Sequence, residues 1–163
     1  MKLARFGDIG SEIPAVVVDG DGALDARPVT DDYGPGFFAG DGLARLERAV
    51  HDGELPPLDV VGLRVGAPMS RPGKVVCIGL NYRNHAIESG MEIPAEPVVF
   101  MKAPNTVVGP NDDIHIPRRS QKTDWEVELA IVIGATVAYL DSPADAITES
   151  ISHARSLARR GAR

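Results

Sequence analysis

The sequence predicts a strand-rich α+β protein, in which a small N-terminal domain precedes a mixed β core with few helices. Short apolar, β-branched runs recur along the chain, bounded by Gly- and Pro-rich turns. Only one stretch, residues 40–50, carries sustained helical spacing. The Pro/Gly cluster Ala67-Pro68-Met69-Ser70-Arg71-Pro72-Gly73 separates the two parts. The expected divisions are therefore a domain at 1–70, a second at 71–148 and an atypical basic tail at 149–163.

Residues 1–28 read as short strands joined by Gly-rich turns. The run Ala15-Val16-Val17-Val18 is followed by Asp19-Gly20-Asp21-Gly22, a hairpin signal. Over 40–50, Leu43, Leu46 and Val50 share a helical face, with Asp41 as candidate cap and Gly53 as stop. Residues 60–65 read as a strand. Beyond the Pro/Gly cluster, strands are expected at 74–79, 98–102, 106–108, 114–116 and 126–134. Asp112 and Asp113 follow Asn111, which is turn chemistry, so they read as exposed turn acids and not as a metal site. His115 should face solvent from an Ile-x-Ile pattern, and His51 and His153 look incidental.

Asp124-Trp125-Glu126-Val127-Glu128-Leu129 is the most distinctive segment. As a strand it would put Asp124, Glu126 and Glu128 on one face and Trp125, Val127 and Leu129 on the other. Same-face neighbours lie roughly 6.5 to 7 Å apart, so the ionised carboxylates repel unless water or a cation screens them. An apolar strand with an acidic mouth suits a hard divalent metal; a solvated strand end with ordinary surface acids is the other reading.

The run 74–80 reads as a buried strand and leads directly into Asn81-Tyr82-Arg83-Asn84-His85-Ala86-Ile87-Glu88. If the chain turns helical there, His85 and Glu88 lie three apart on one face. A carboxylate on one imidazole nitrogen fixes the tautomer and makes the other nitrogen a better base. A plain surface helix pair fits the same residues.

Composition narrows the classes. At 163 residues, 44% hydrophobic and 25% charged, the chain is long and apolar enough for a core, which excludes disorder throughout. A net charge of −6 with no basic stripe before the tail argues against nucleic acid as partner. The arginines of the tail (Arg155, Arg159, Arg160, Arg163) read as a solvated end, and its thin apolar face argues against a membrane. Cys77 is the only cysteine, so no intrachain disulfide forms, and its apolar neighbours suggest a buried packing role. The first residues lack an apolar signal segment and no run reaches membrane-spanning length, so the expected location is cytoplasmic. Walker-type, dinucleotide-binding and Gly-x-Ser-x-Gly patterns are absent.

Taken together, residues 75–90, Pro97-Val98-Val99-Phe100-Met101-Lys102-Ala103-Pro104, Gly109-Pro110-Asn111-Asp112-Asp113 and Lys122-Thr123-Asp124-Trp125-Glu126-Val127-Glu128-Leu129-Ala130 resemble the fumarylacetoacetate hydrolase family. The likeness is strong from about Arg71 to Asp145 and weaker before it. It implies the first half of that family's catalytic domain, with enzymes of the acylpyruvate and diketo-acid type acting on carbon–carbon bonds beside a carbonyl. By this resemblance Glu126 and Glu128 supply two ligands of Mg²⁺, Mn²⁺ or Ca²⁺, and His85 with Glu88 activates a water. The metal would polarise a 2,4-dioxo acid so that the leaving carbanion forms as an enolate. Lys102, at a strand end, either meets the substrate carboxylate or makes a surface salt bridge. The resemblance further implies a keto or diketo acid as the small-molecule partner, and a homodimer for a full-length chain.

One departure stands beside the match. The family's third metal carboxylate, an Asp, and its later Lys have no counterpart here, and the likeness fades near Glu149 into an Arg/Ala/Ser run. That shift reads as a truncation or a change of reading frame. Three readings follow: a metal-dependent hydrolase or lyase, weakly active or inactive as written; a non-catalytic fragment; or a small-acid-binding module without chemistry.

Overall fold

Alternating apolar residues at the start of the chain build an antiparallel sheet. The computed structural model describes residues 1–18, 22–142 and the backbone of 150–155. Strands β1 (Lys2–Phe6), β2 (Ile13–Val17), β3 (Ala23–Asp25) and β4 (Pro57–Leu58) form one sheet in the order β1-β2-β3-β4. Val17 stands opposite Ala23, and the Val18 N–H donates to the Gly22 carbonyl at 3.0 Å. These flanks pair as a hairpin requires; its expected loop residues 19–21 lie outside the described residues.

Two helices, α1 (Pro35–Ala39) and α2 (Gly42–His51), supply the second layer. Leu46 and Ala49 of α2 pack with Phe37 and Phe38 of α1, Val16 of β2, Tyr33 and Leu55 in one buried cluster. Tyr33 is fully buried and its hydroxyl donates to the Ala15 carbonyl at 3.0 Å, so its polar end is satisfied. Gly53, at φ 70°, sits just past the α2 cap residue Asp52 and stops the helix as expected. Asp41 does occupy the N-cap, but its carboxylate pairs with the Arg45 guanidinium at 3.0 Å and caps no backbone N–H.

The remaining elements are β5 (Val75–Gly79), α3 (Arg83–Glu88), β6 (Val98–Lys102), a 3-10 turn at Pro104–Thr106, β7 (Leu129–Ile133) and β8 (Ser150–Arg155). β5 pairs only with β6 among the described residues, and β7 with β8, both antiparallel. The chain forms two compact units: Met1–Ser70 together with Val108–Arg163, and Arg71–Val107. The architecture is mixed α+β and strand-rich, the predicted class.

Several expected elements differ. Residues 60–65 contain no strand: the Asp59 carboxylate takes the Val61 N–H at 3.0 Å, the Leu63 N–H bonds the Val60 carbonyl, and Gly62 turns at φ 75°. Only Val65 bridges, to Phe6. Residues 106–108 and 114–116 are not strands either, and Ile114 and Ile116 are about two-thirds exposed. β5 is not a buried strand, because Val76 and Ile78 on one face are exposed while Cys77 is only half-buried. Residues 150–155 of the tail form β8, paired with β7, where a solvated end was expected; residues 143–149 and 156–163 lie outside the described residues.

Candidate functional site

The chain reaches His85 through a sharp strand-to-helix turn. β5 ends at Gly79, Leu80 adopts φ 51°, and α3 begins after Tyr82. A branched side chain in the left-handed region costs on the order of 1–3 kcal/mol, so the turn is held by its surroundings. Ala86 is the buried face of α3, which leaves His85 and Glu88 on its exposed side. The helix expectation is met, but among the described residues no hydrogen bond joins the two side chains. The His85 carbonyl accepts the Ser89 N–H at 3.0 Å, and Gly90 at φ 65° ends the turn. Lys102 closes β6, opposite Val75, and is exposed.

Glu126 and Glu128 precede β7 and are not part of it. Residues 124–128 carry no regular strand; the β7–β8 register begins at Leu129, opposite Arg155. The acidic strand face expected from alternation is thus absent at 124–128. Glu126 is exposed and Glu128 half-buried, while the Asp124 carboxylate accepts the Trp125 N–H at 2.8 Å. His85, Glu88 and Lys102 belong to the unit Arg71–Val107; Glu126 and Glu128 belong to the other. Among the described residues no three His, Cys, Asp or Glu side chains gather as a metal site. A hard cation wants six or more oxygens, so the described donors do not by themselves fit one.

Sequence reasoning missed a charged array in the first unit. Arg5 donates to both Asp32 oxygens at 2.6 and 3.0 Å and to Glu12 at 3.0 Å. Arg64 donates to the other Glu12 oxygen at 3.1 Å and grips Asp112 with two bonds of 2.7 and 2.6 Å. Asp112, expected as an exposed turn acid, has a side chain only 17% exposed, although the turn itself is present. Burial raises the Glu12 carboxyl, but its backbone donors and the Arg64 and Arg5 guanidiniums outweigh it and hold Glu12 below its ordinary value. Asp32 is likewise raised by burial and brought net below its ordinary value by Arg5 and the Tyr33 N–H. An open cavity of about 400 Å³ is lined, among the described residues, by Arg118 and Arg119.

Comparison with known proteins supplies the class. The family described as Fumarylacetoacetate (FAA) hydrolase C-terminal matches residues 74–152. A protein of Burkholderia lata, provisionally named a hydrolase, is 46% identical over 142 residues, covering 86% of this chain and 49% of that protein. The solved fumarylacetoacetate hydrolase of psychrophilic Exiguobacterium antarcticum superposes with a TM-score of 0.70 at 32% identity, over 94% of this chain and 53% of that one. A probable 2-hydroxyhepta-2,4-diene-1,7-dioate isomerase of Mycobacterium abscessus gives 0.57 at 32% identity, over 82% and 43%.

The chain resembles the fumarylacetoacetate hydrolase family over residues 74–152, the stretch matched by that family's C-terminal domain. It spans about half the length of the curated relatives it matches. No helix among the described residues is long and apolar enough to cross a membrane.

Proposed function

We propose that this chain carries part of the active site of a hydrolase or isomerase acting on a keto or diketo acid of the acylpyruvate type. The supporting observation is the family match over 74–152, which contains His85, Glu88, Lys102, Glu126 and Glu128 together. In this reading residues 71–148 are the first part of a catalytic domain, preceded by a small domain at 1–70 and followed by a basic tail at 149–163. His85 takes a proton from a water, a task suited to imidazole near neutral pH, and Glu88 one helical turn away stabilises the imidazolium. Lys102 offers an ammonium to a substrate carboxylate. Glu126 and Glu128 are this chain's contribution to a divalent cation, Mg²⁺, Mn²⁺ or Ca²⁺, which would polarise the substrate carbonyl when bound. The described donors alone are too few to hold that cation. The proposed setting is the cytoplasm, with no nucleic acid or membrane partner and with a homodimer as the assembly of a full-length chain.

Titration calorimetry with Mg²⁺ or Mn²⁺ tests the carboxylates: Glu126→Gln and Glu128→Gln should each weaken binding, and binding equal to the parent refutes their role. Turnover of acylpyruvates with Mg²⁺ tests the chemistry. The chain as it stands should be at or near background, and any turnover it shows should fall in His85→Ala through kcat more than KM. A second reading, acid binding without turnover, is favoured by the absence of three gathered donors among the described residues. Saturable binding of an acylpyruvate with no product would select it.

A further inference from the structure

We propose that Asp32, Arg5, Glu12, Arg64 and Asp112 form an ionic clasp that closes the base of the 71–107 excursion, with Arg64–Asp112 as its releasable link. The chain leaves the first unit after Ser70 and returns to it at Val108. On the outgoing side the Ser70 N–H donates to the Tyr33 carbonyl at 2.9 Å, beside Asp32. Arg5 holds the same stretch, donating to the Ala67 carbonyl at 3.2 Å, and its own carbonyl accepts the Gly66 N–H at 2.7 Å. On the returning side Asp112 accepts the Arg64 fork and also the Gly109 N–H at 2.6 Å. Glu12, 7% exposed, joins the two sides, with one oxygen on Arg5 and the other on Arg64. The charges alternate along the whole line, so each arginine lies between two carboxylates. The bond from Arg64 to Asp112 spans 48 positions of sequence and ties the end of the excursion to the stretch that precedes its start.

The seat of the returning turn is made of backbone and charge, not apolar packing. A Cβ on Gly109 would lie 2.2 Å from the Val65 carbonyl oxygen, so only glycine fits against that stretch. Flanking apolar residues do not anchor the turn, since Val107, Val108, Ile114 and Ile116 are all exposed. Tyr33 and Leu46, by contrast, are wholly buried in a cluster to which Asp112 does not contribute. The clasp can therefore open without unfolding that cluster. Opening frees one end of the excursion that carries His85.

Hydrogen exchange on the full chain tests this. In Arg64→Met and in Asp112→Asn, the amides of the 109–112 turn should lose protection by about tenfold or more, while those of α2 and of β1–β2 keep theirs. At the 109–112 turn the double variant should be no worse than Arg64→Met alone, because that single change already removes the Arg64–Asp112 link. Unchanged protection at 109–112 overturns the proposal, as does loss at α2 in step with the turn. Should these variants fail to fold, Gly109→Ala unseats the turn by sterics with all five charges in place. It should show the same local loss, and retained protection there would equally refute the clasp.

Discussion

The sheet β1–β4 and the ribbon β5–β6 are built from similarly apolar strands, yet one has a core and the other does not. Val16 in β2 is 2% exposed because α1 and α2 lie over it. In β6, Val99 is 62% and Met101 63% exposed, and across the ribbon Val76 is 57% exposed. Apolar residues decide that a strand forms; only a second layer decides that it is buried.

Four measurements sharpen or break that contrast. Leu46→Ala, in the centre of the buried cluster, should cost about 3 kcal/mol in urea unfolding, since it leaves a cavity between helix and sheet. Tyr33→Phe keeps the ring but removes its hydrogen bond to the Ala15 carbonyl, and should cost about 1 kcal/mol. Acid should act next and on the same unit. Glu12 and Asp32 are held below their ordinary values of 4.5 and 3.8, so the stability they add is complete above those values. It fades as pH falls through the lowered values, and the urea midpoint should drop there; in Arg5→Met that acid dependence should flatten. Val99→Thr and Met101→Gln should change stability by no more than about 0.5 kcal/mol. A loss as large as that of Leu46→Ala would mean this face is covered in solution and would end the contrast.

The parts legible in the sequence are those fixed by neighbouring residues. The helix over 42–51, its stop at Gly53, the ribbon strands and the helical turn at His85 each follow from local spacing and turn chemistry. Residues 60–65 misled because the Asp59 and Gly62 turn signals inside and beside an apolar run prevailed over it. Residues 124–128 misled for a different reason: alternation gives a strand its faces, but the register with β8 starts only at Leu129. The charged array was illegible because Arg64 and Asp112 meet across 48 positions, a pairing no local pattern encodes. For the site, the quoted motif carried the family resemblance, whereas the spatial arrangement of its residues was not readable from their spacing.

Trp125 is the only tryptophan of the chain; it is 51% exposed and adjoins Glu126. Long-wavelength excitation, which tyrosine does not absorb, therefore draws light from a single indole placed next to the acidic pair. The molecule carries its own optical reporter at that segment. A change of environment at 124–128 would appear in the emission of one unlabelled sample.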